Sequence, residues 1–116
     1  MAPHRSSCPI ASTLDILGAR WSLVIVRDLL TGKRLFGDFL DSPEGISTNI
    51  LADRLKRLIA ARLVVRTAYQ TRPRRYAYSL TEDGKALLPV LQEICIWGNR
   101  TLPGTWTPPA AFMARP

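Results

Sequence analysis

Apolar residues recur at helical spacing from residue 9 onward, change to strand-like alternation near residue 64, and return to helical spacing after residue 81. Ser7, Cys8 and Pro9 form a helix start, because proline at the first helical position gives up no N–H that the helix needs. Ile10, Leu14 and Leu17 then share one face, and Gly18 ends the helix. From Arg20 to Leu30 the chain is apolar nearly all round, which predicts a helix packed on several sides and stopped by a left-handed Gly32.

A short helix from Phe36 to Asp41 places Phe36, Phe39 and Leu40 together, and Ser42-Pro43-Glu44-Gly45 breaks it into a turn. Ser47 caps the next helix, which carries an inward stripe of Leu51, Leu55, Leu58 and Ile59 and runs to Ala61. The β-branched and aromatic stretches Val64 to Tyr69 and Arg75 to Leu80 flank a polar loop, Gln70 to Arg74, and predict a β-hairpin. Thr81 caps a last helix reaching Trp97, with Glu82 and Asp83 complementing its dipole and Pro89 bending it locally. Beyond Leu102, prolines and small residues predict a poorly ordered or extended tail.

Two helices joined by a tight turn and followed by a hairpin define a winged helix-turn-helix, so the fold expected is mainly α with a small β-hairpin. In this arrangement the second helix of the pair enters the major groove of DNA. Here that helix starts at Ser47, and opposite its apolar stripe it shows Ser47, Thr48, Asn49, Asp53, Lys56 and Arg57. Thr48 and Asn49, near its start, are the expected base readers, and the later cations suit phosphates.

Taken alone, such a helix reads first as an ordinary amphipathic helix with a solvated charged face. Charge changes that balance. The 116-residue chain has a net charge of +7, and from Arg54 to Arg75 its eight basic residues occur without one intervening acid. Cations are thus focused on the reading helix and hairpin, where a merely soluble surface would mix signs. Arg72, Arg74 and Arg75 cluster around Pro73 at the hairpin tip and are expected to grip phosphates or a minor groove; a charged hairpin that only avoids edge pairing is the plainer alternative. Tyr76 and Tyr78 alternate toward one face and are read as core.

The length bounds the chain to one domain. No apolar stretch approaches the roughly 20 residues that span a bilayer, and Met1 to Ser7 lacks the apolar core of a secretory signal, so a cytoplasmic location is expected. Cys8, Cys95 and the single histidine, His4, cannot supply a disulfide framework or a four-ligand zinc site. No cofactor is expected. No glycine-rich phosphate loop or nucleophile elbow is present, so catalysis is not expected. The remaining alternative to a DNA regulator is a winged helix that contacts protein or structured RNA.

Leu87, Leu88, Leu91, Ile94, Cys95 and Trp97 give the last helix more apolar surface than a small core needs, which predicts pairing with a second copy. Two-fold pairing would set two reading helices about 34 Å apart and select a palindromic operator. Cys8, at a helix entrance beside His4 and Arg5, leaves two readings open: a thiolate stabilised by the dipole and nearby charge, acting as a redox sensor, or an unreactive cysteine. Cys95 is read as packing.

The pieces Cys8-Pro9, Gly18-Ala19-Arg20-Trp21, Phe36 to Phe39, Gly45-Ile46-Ser47, Leu51 to Leu58, Tyr78-Ser79-Leu80-Thr81, Gly84 and Trp97-Gly98 together resemble the HxlR-type winged-helix regulators, relatives of the MarR group. The resemblance runs from Cys8 to about Gly98. It implies a homodimeric transcriptional regulator joined through its terminal helices, a reading helix beginning at Ser47 and an arginine-bearing wing around Pro73. In some relatives the cysteine of the Cys-Pro pair senses electrophiles or oxidants, so an oxidant or small-molecule effector is implied as an option for Cys8. The expected division is a flexible arm at 1–7, the regulator domain at 8–102 with dimerisation helices at both ends, and a proline-rich tail at 103–116.

Overall fold

A computed structural model of the protein describes residues 5–115; the expectations that involve His4 and the rest of residues 1–4 lie outside it. Helix α1 (Pro9–Leu17) begins where the proline predicted, with Cys8 as its N-cap residue. It meets α2 (Ser22–Leu30) at 80°. The second helix starts later than expected because Trp21 sits in the left-handed region, φ 82°, and reverses the chain between the two helices. Two contacts hold this reversal: the Arg20 guanidinium lies 5.7 Å from the Trp21 ring centroid, and Arg54 Nε donates to the Arg20 carbonyl at 2.8 Å. Gly32, φ 106°, follows α2 as the left-handed residue expected there.

Helix α3 (Phe36–Leu40) starts where Asp38 accepts from the Leu35 backbone N–H at 3.0 Å. Helix α4 (Thr48–Ala60) is capped as predicted, the Ser47 hydroxyl oxygen accepting from the Ile50 N–H at 3.3 Å. The chain then leaves α4 through a left-handed Arg62, φ 62°, with Leu63 N–H bonded to Leu58 O and Arg62 N–H to Ile59 O, which satisfies the last carbonyls of the helix.

Strands β1 (Val64–Thr71) and β2 (Arg74–Leu80) pair antiparallel, from Val64 opposite Leu80 to Thr71 opposite Arg74. The expected five-residue loop is therefore only Arg72 and Pro73. The register jumps between Ala68 and Gln70, so Tyr69 bulges out of the ladder, and pairing resumes beyond it up to the tip. A further strand-like contact escaped the sequence: Leu35 bridges Ala77, and Tyr78 N–H donates to the Arg34 carbonyl at 2.7 Å, covering part of the β2 edge.

Pro89 acts more strongly than the local bend expected of it. The last helix is divided into α5 (Glu82–Lys85), capped by Thr81, and α6 (Leu88–Thr101), and Pro89 occupies the first turn of α6. A proline at that position needs no helical donor, so the chain breaks before it and restarts, and α6 then runs past Trp97 to Thr101.

The core gathers Ile25 and Val26 from α2, Phe39 from α3, Leu51, Leu55 and Leu58 from α4, Val64, Tyr78 and Leu91. Each buried aliphatic side chain of this kind contributes about 1.5–3 kcal/mol relative to exposure. The apolar face of α1 is buried only at its end: Leu17 is buried, whereas Ile10 and Leu14 are exposed. A nine-residue helix meeting its neighbour at a steep angle can bury only its end.

The tail departs from expectation too. It is extended across residues 105–109, then forms α7 (Ala110–Met113) and docks on α6. The buried Gln92 amide donates to the carbonyls of Phe112 and Ala114 at 2.9 and 3.0 Å, Asn99 donates to Thr105 and Trp106, and Arg115 pairs with Glu93 at 2.7 Å. Composition alone did not register that α6 carries two amides free to bind a returning backbone.

Candidate nucleic-acid interface

Amphipathicity orients α4. Burying Leu51, Leu55 and Leu58 at 0–2% exposure forces the positions between them outward, and Thr48, Asn49, Lys56 and Arg57 are all exposed. Thr48 and Asn49 make no side-chain hydrogen bond among the described residues, so their donors and acceptors face solvent at the start of the helix. Ser47 is exposed as well, but its hydroxyl oxygen already caps α4.

Asp53 occupies a different situation from the other α4 residues singled out by sequence. It is half-buried, bonds Arg54 Nη1 at 2.5 Å and holds Arg57 Nε at 2.9 Å across one helical turn. Its carboxylate therefore orients two arginines. Arg54, mostly buried, belongs to the α1–α2 reversal rather than to the exposed face.

On the hairpin, Arg72, Arg74 and Arg75 are exposed and form no ion pair among the described residues. Arg66, further down β1, lies 4.2 Å from the Tyr76 ring centroid, so Tyr76 supports a cation as well as packing. Tyr78 is core: it meets Phe39 edge-on at 6.2 Å between centroids, and burial pushes its hydroxyl pKa upward. Five cations, Lys56, Arg66, Arg72, Arg74 and Arg75, thus stand without a protein anion on the reading helix and wing among the described residues.

A charged cluster that sequence reasoning missed fastens the turn before α4. Asp28, 3% exposed, accepts from Arg27 at 2.9 and 3.0 Å and from the Ser42 hydroxyl, while Lys33 donates to Ser42 at 2.9 Å. Arg27 also donates to both Glu44 carboxylate oxygens. No buried polar side-chain atom among the described residues lacks a partner. The signal was an Arg-Asp pair inside an otherwise apolar helix, where a charge must find company to be buried.

Cys8 is exposed at the entrance of α1, and its backbone N–H bonds Ser6 Oγ at 3.1 Å. Arg5, expected beside it, instead engages Asp15 through a charged double hydrogen bond. Cys95 is half-buried on α6. Among the described residues no group of three or more His, Cys, Asp or Glu side chains could hold a metal ion, and no single helix is long and apolar enough to cross a membrane.

Residues 16–105 match the HxlR-like helix-turn-helix family. The chain belongs to that family. A relative, the HTH-type transcriptional regulator YybR of Bacillus subtilis, is 32% identical over 97 residues, covering 84% of this chain and 78% of its own. Among solved structures, the transcription factor candidate PA1607 superposes with a TM-score of 0.78 at 38% identity, covering 88% of this chain and 72% of its own. The redox regulator HypR in its oxidised form superposes with a TM-score of 0.73 at 32% identity, covering 81% of this chain and 97% of its own. The HxlR-type chain is accordingly a winged helix-turn-helix transcriptional regulator, a DNA-binding protein by family and not an enzyme. Other structures it resembles include a MarR-family regulator.

Proposed function

We propose that this HxlR-type regulator binds a palindromic duplex operator as a homodimer, in the cytoplasm where that DNA is found. The observation that carries the reading is the pairing of unengaged polar side chains, Thr48 and Asn49, at the start of α4 with unpaired cations on α4 and the wing. Asn49 and Thr48 meet base edges; Lys56, Arg57 and the wing arginines Arg72, Arg74 and Arg75 meet phosphates or the minor groove. Ser47 and Asp53 contribute by fixing the helix start and the Arg57 guanidinium.

What supports the dimer is the exposed apolar face shared by α1 and α6. Ile10, Leu14, Val90, Ile94, Ile96 and Trp97 are each more than 40% exposed, more apolar side chain than a small monomer ordinarily shows to water. Pairing through this face would place two α4 helices one turn of B-DNA apart, about 34 Å. Cys8 is accessible to an oxidant or electrophile at the edge of this face, and the similarity to HypR, a redox regulator, favours a sensing role for it.

The test is duplex selection from a random pool followed by titration across salt. A palindromic site bound far more tightly than random duplex, with affinity falling by close to one power of salt per phosphate contacted, is the expected result. Equal affinity for RNA hairpins, or a flat salt dependence, would refute it and favour the protein- or RNA-contact alternative.

A further inference from the structure

Arg54 lies on α4 but turns away from its exposed face, with a side chain only 19% exposed, and two of its nitrogens are engaged. Nε donates to the Arg20 carbonyl at 2.8 Å, and Nη1 donates to Asp53 Oδ2 at 2.5 Å. The same carboxylate oxygen accepts from Arg57 Nε at 2.9 Å, one helical turn further on. Three consecutive bonds therefore lead from the α1–α2 reversal, 34 positions earlier in the chain, to a cation on the DNA-facing side of α4.

An aspartate and an arginine four residues apart on an exposed helix face form a weak pair by themselves, because water screens them and two flexible side chains must be held still. Arg54 changes that balance. Mostly enclosed and tied to a backbone carbonyl, it anchors the Asp53 carboxylate from the protein side, and Asp53 passes the anchoring to Arg57. The anchor point is itself fixed, since Arg20 precedes the left-handed Trp21 and lays its guanidinium over the Trp21 ring. With Nε occupied, Arg57 is still 65% exposed and keeps both Nη groups without a protein partner among the described residues. What remains is a planar fork whose free end suits two phosphate oxygens.

We propose that Arg54 is a positioning residue for DNA binding: through Asp53 it orders the Arg57 guanidinium for a phosphate before DNA arrives. The role in binding rests on the DNA reading given above; the ordering of Arg57 in the free protein does not. Charge gives the proposal a consequence of opposite sign to simple electrostatics. Asp53 sets a negative charge on a face that approaches phosphates, so repulsion alone makes its removal favourable to binding. Ordering makes its removal unfavourable, because the freed Arg57 must then be immobilised on the duplex.

The experiment titrates the full chain with the duplex selected from the random pool. Asp53→Asn keeps the side-chain shape, drops the charge, and should weaken binding about fivefold. Arg54→Lys keeps the charge but offers one nitrogen in place of a fork, and should weaken binding by a similar factor. Arg57→Ala should cost about tenfold in the native chain and only about twofold in either variant background. NMR relaxation of the Arg57 Nε–H in the DNA-free protein should show it ordered in the native chain and mobile in both variants. Tighter or unchanged binding by Asp53→Asn, full additivity with Arg57→Ala, or a mobile Arg57 in the native chain would overturn the proposal. Should Arg54→Lys unfold the domain, the partly exposed Asp53→Asn carries every arm of the test. A native chain that binds an RNA hairpin as well as the duplex would sink the DNA reading instead, and the relaxation measurement would still decide whether Arg54 orders Arg57.

Discussion

The Arg27 guanidinium grips the Glu44 carboxylate through two hydrogen bonds of 2.8 and 2.9 Å, tying α2 to the turn that leads into α4. Because Arg27 also holds the buried Asp28, one side chain links the core of the domain to the entry of its reading helix. The pair thus fastens the turn from which α4, with Thr48 and Asn49 in its first turn, departs.

This linkage predicts an acid-sensitive stability. Hydrogen bonding from Arg27 holds the Glu44 carboxyl below its ordinary value of 4.5, so its contribution is complete above that value and is lost as pH falls through the lower, folded one. With the Glu44 side chain 35% exposed, solvent screening limits the pair to about 1 kcal/mol. Glu44→Gln should cost about that much at pH 7, and the gap from the native protein should shrink as pH falls below 4.5. Urea midpoints measured from pH 7 to pH 3 decide the matter; a gap independent of pH would show that the pair does not titrate as argued.

Asn49 and Arg74 should fail differently. Asn49→Ala should relax preference at one position of each half-site, by about 1–3 kcal/mol against the favoured base, and leave other positions alone. Arg74→Ala should weaken all duplexes alike and reduce the salt slope by about one for each phosphate that is no longer neutralised. Binding to a panel of single-base operator variants separates the two, and a uniform loss from both substitutions would cancel the assignment of Asn49 to base reading.

Much of this site was legible in the amino-acid sequence, because it rests on local rules. The Ser47 cap, the Leu51-Leu55-Leu58 stripe and the acid-free cationic run each follow from neighbours within a few residues. What escaped was non-local or cooperative. The Arg27–Glu44 pair spans 17 positions, the Gln92 contacts to the tail span 20 and 22, and the Tyr69 bulge exists only because two strands must agree on a register. Spacing alone puts Asp53 on the DNA-facing side of α4, and only packing shows that its carboxylate engages Arg54 and Arg57.

The shared face of α1 and α6 predicts that a charge in it will separate subunits. Ile94 is 48% exposed and lies within the apolar groove bordered by Ile10 and Trp97, so Ile94→Arg should leave the fold intact while burying an unpaired charge on association. Sedimentation should show monomers at micromolar concentration. Operator affinity should fall on the order of 10²-fold as the half-sites lose their linkage. An unaltered dimer would remove this face from consideration.

Cys8 and Cys95 should differ in reactivity by access alone, the first exposed and the second half-buried. Iodoacetamide at one equivalent should label Cys8 first, as peptide mass mapping would show. If Cys8 senses electrophiles, labelled protein should lose operator affinity at least fivefold and Cys8→Ser should resist the treatment. Loss of binding by the Cys8→Ser variant on the same treatment would place the sensitivity elsewhere.

Gly84 is required for a backbone crossing. A Cβ at this position would lie 2.2 Å from the Leu63 carbonyl oxygen and 2.9 Å from Leu80 Cδ2. The leucine side chain could yield, but the carbonyl is fixed by accepting from Thr81 N–H at 3.0 Å, while the Thr81 hydroxyl donates to the Arg62 carbonyl at 2.8 Å. Moving Leu63 would therefore disturb both the end of α4 and the start of α5. Gly84→Ala should cost about 1–3 kcal/mol, the range for forcing extra volume into a packed site, and urea unfolding should show a lower midpoint at unchanged slope. Equal stability of the alanine variant would mean that the two backbones can separate without breaking the Thr81 bonds, and the crossing would no longer explain the glycine.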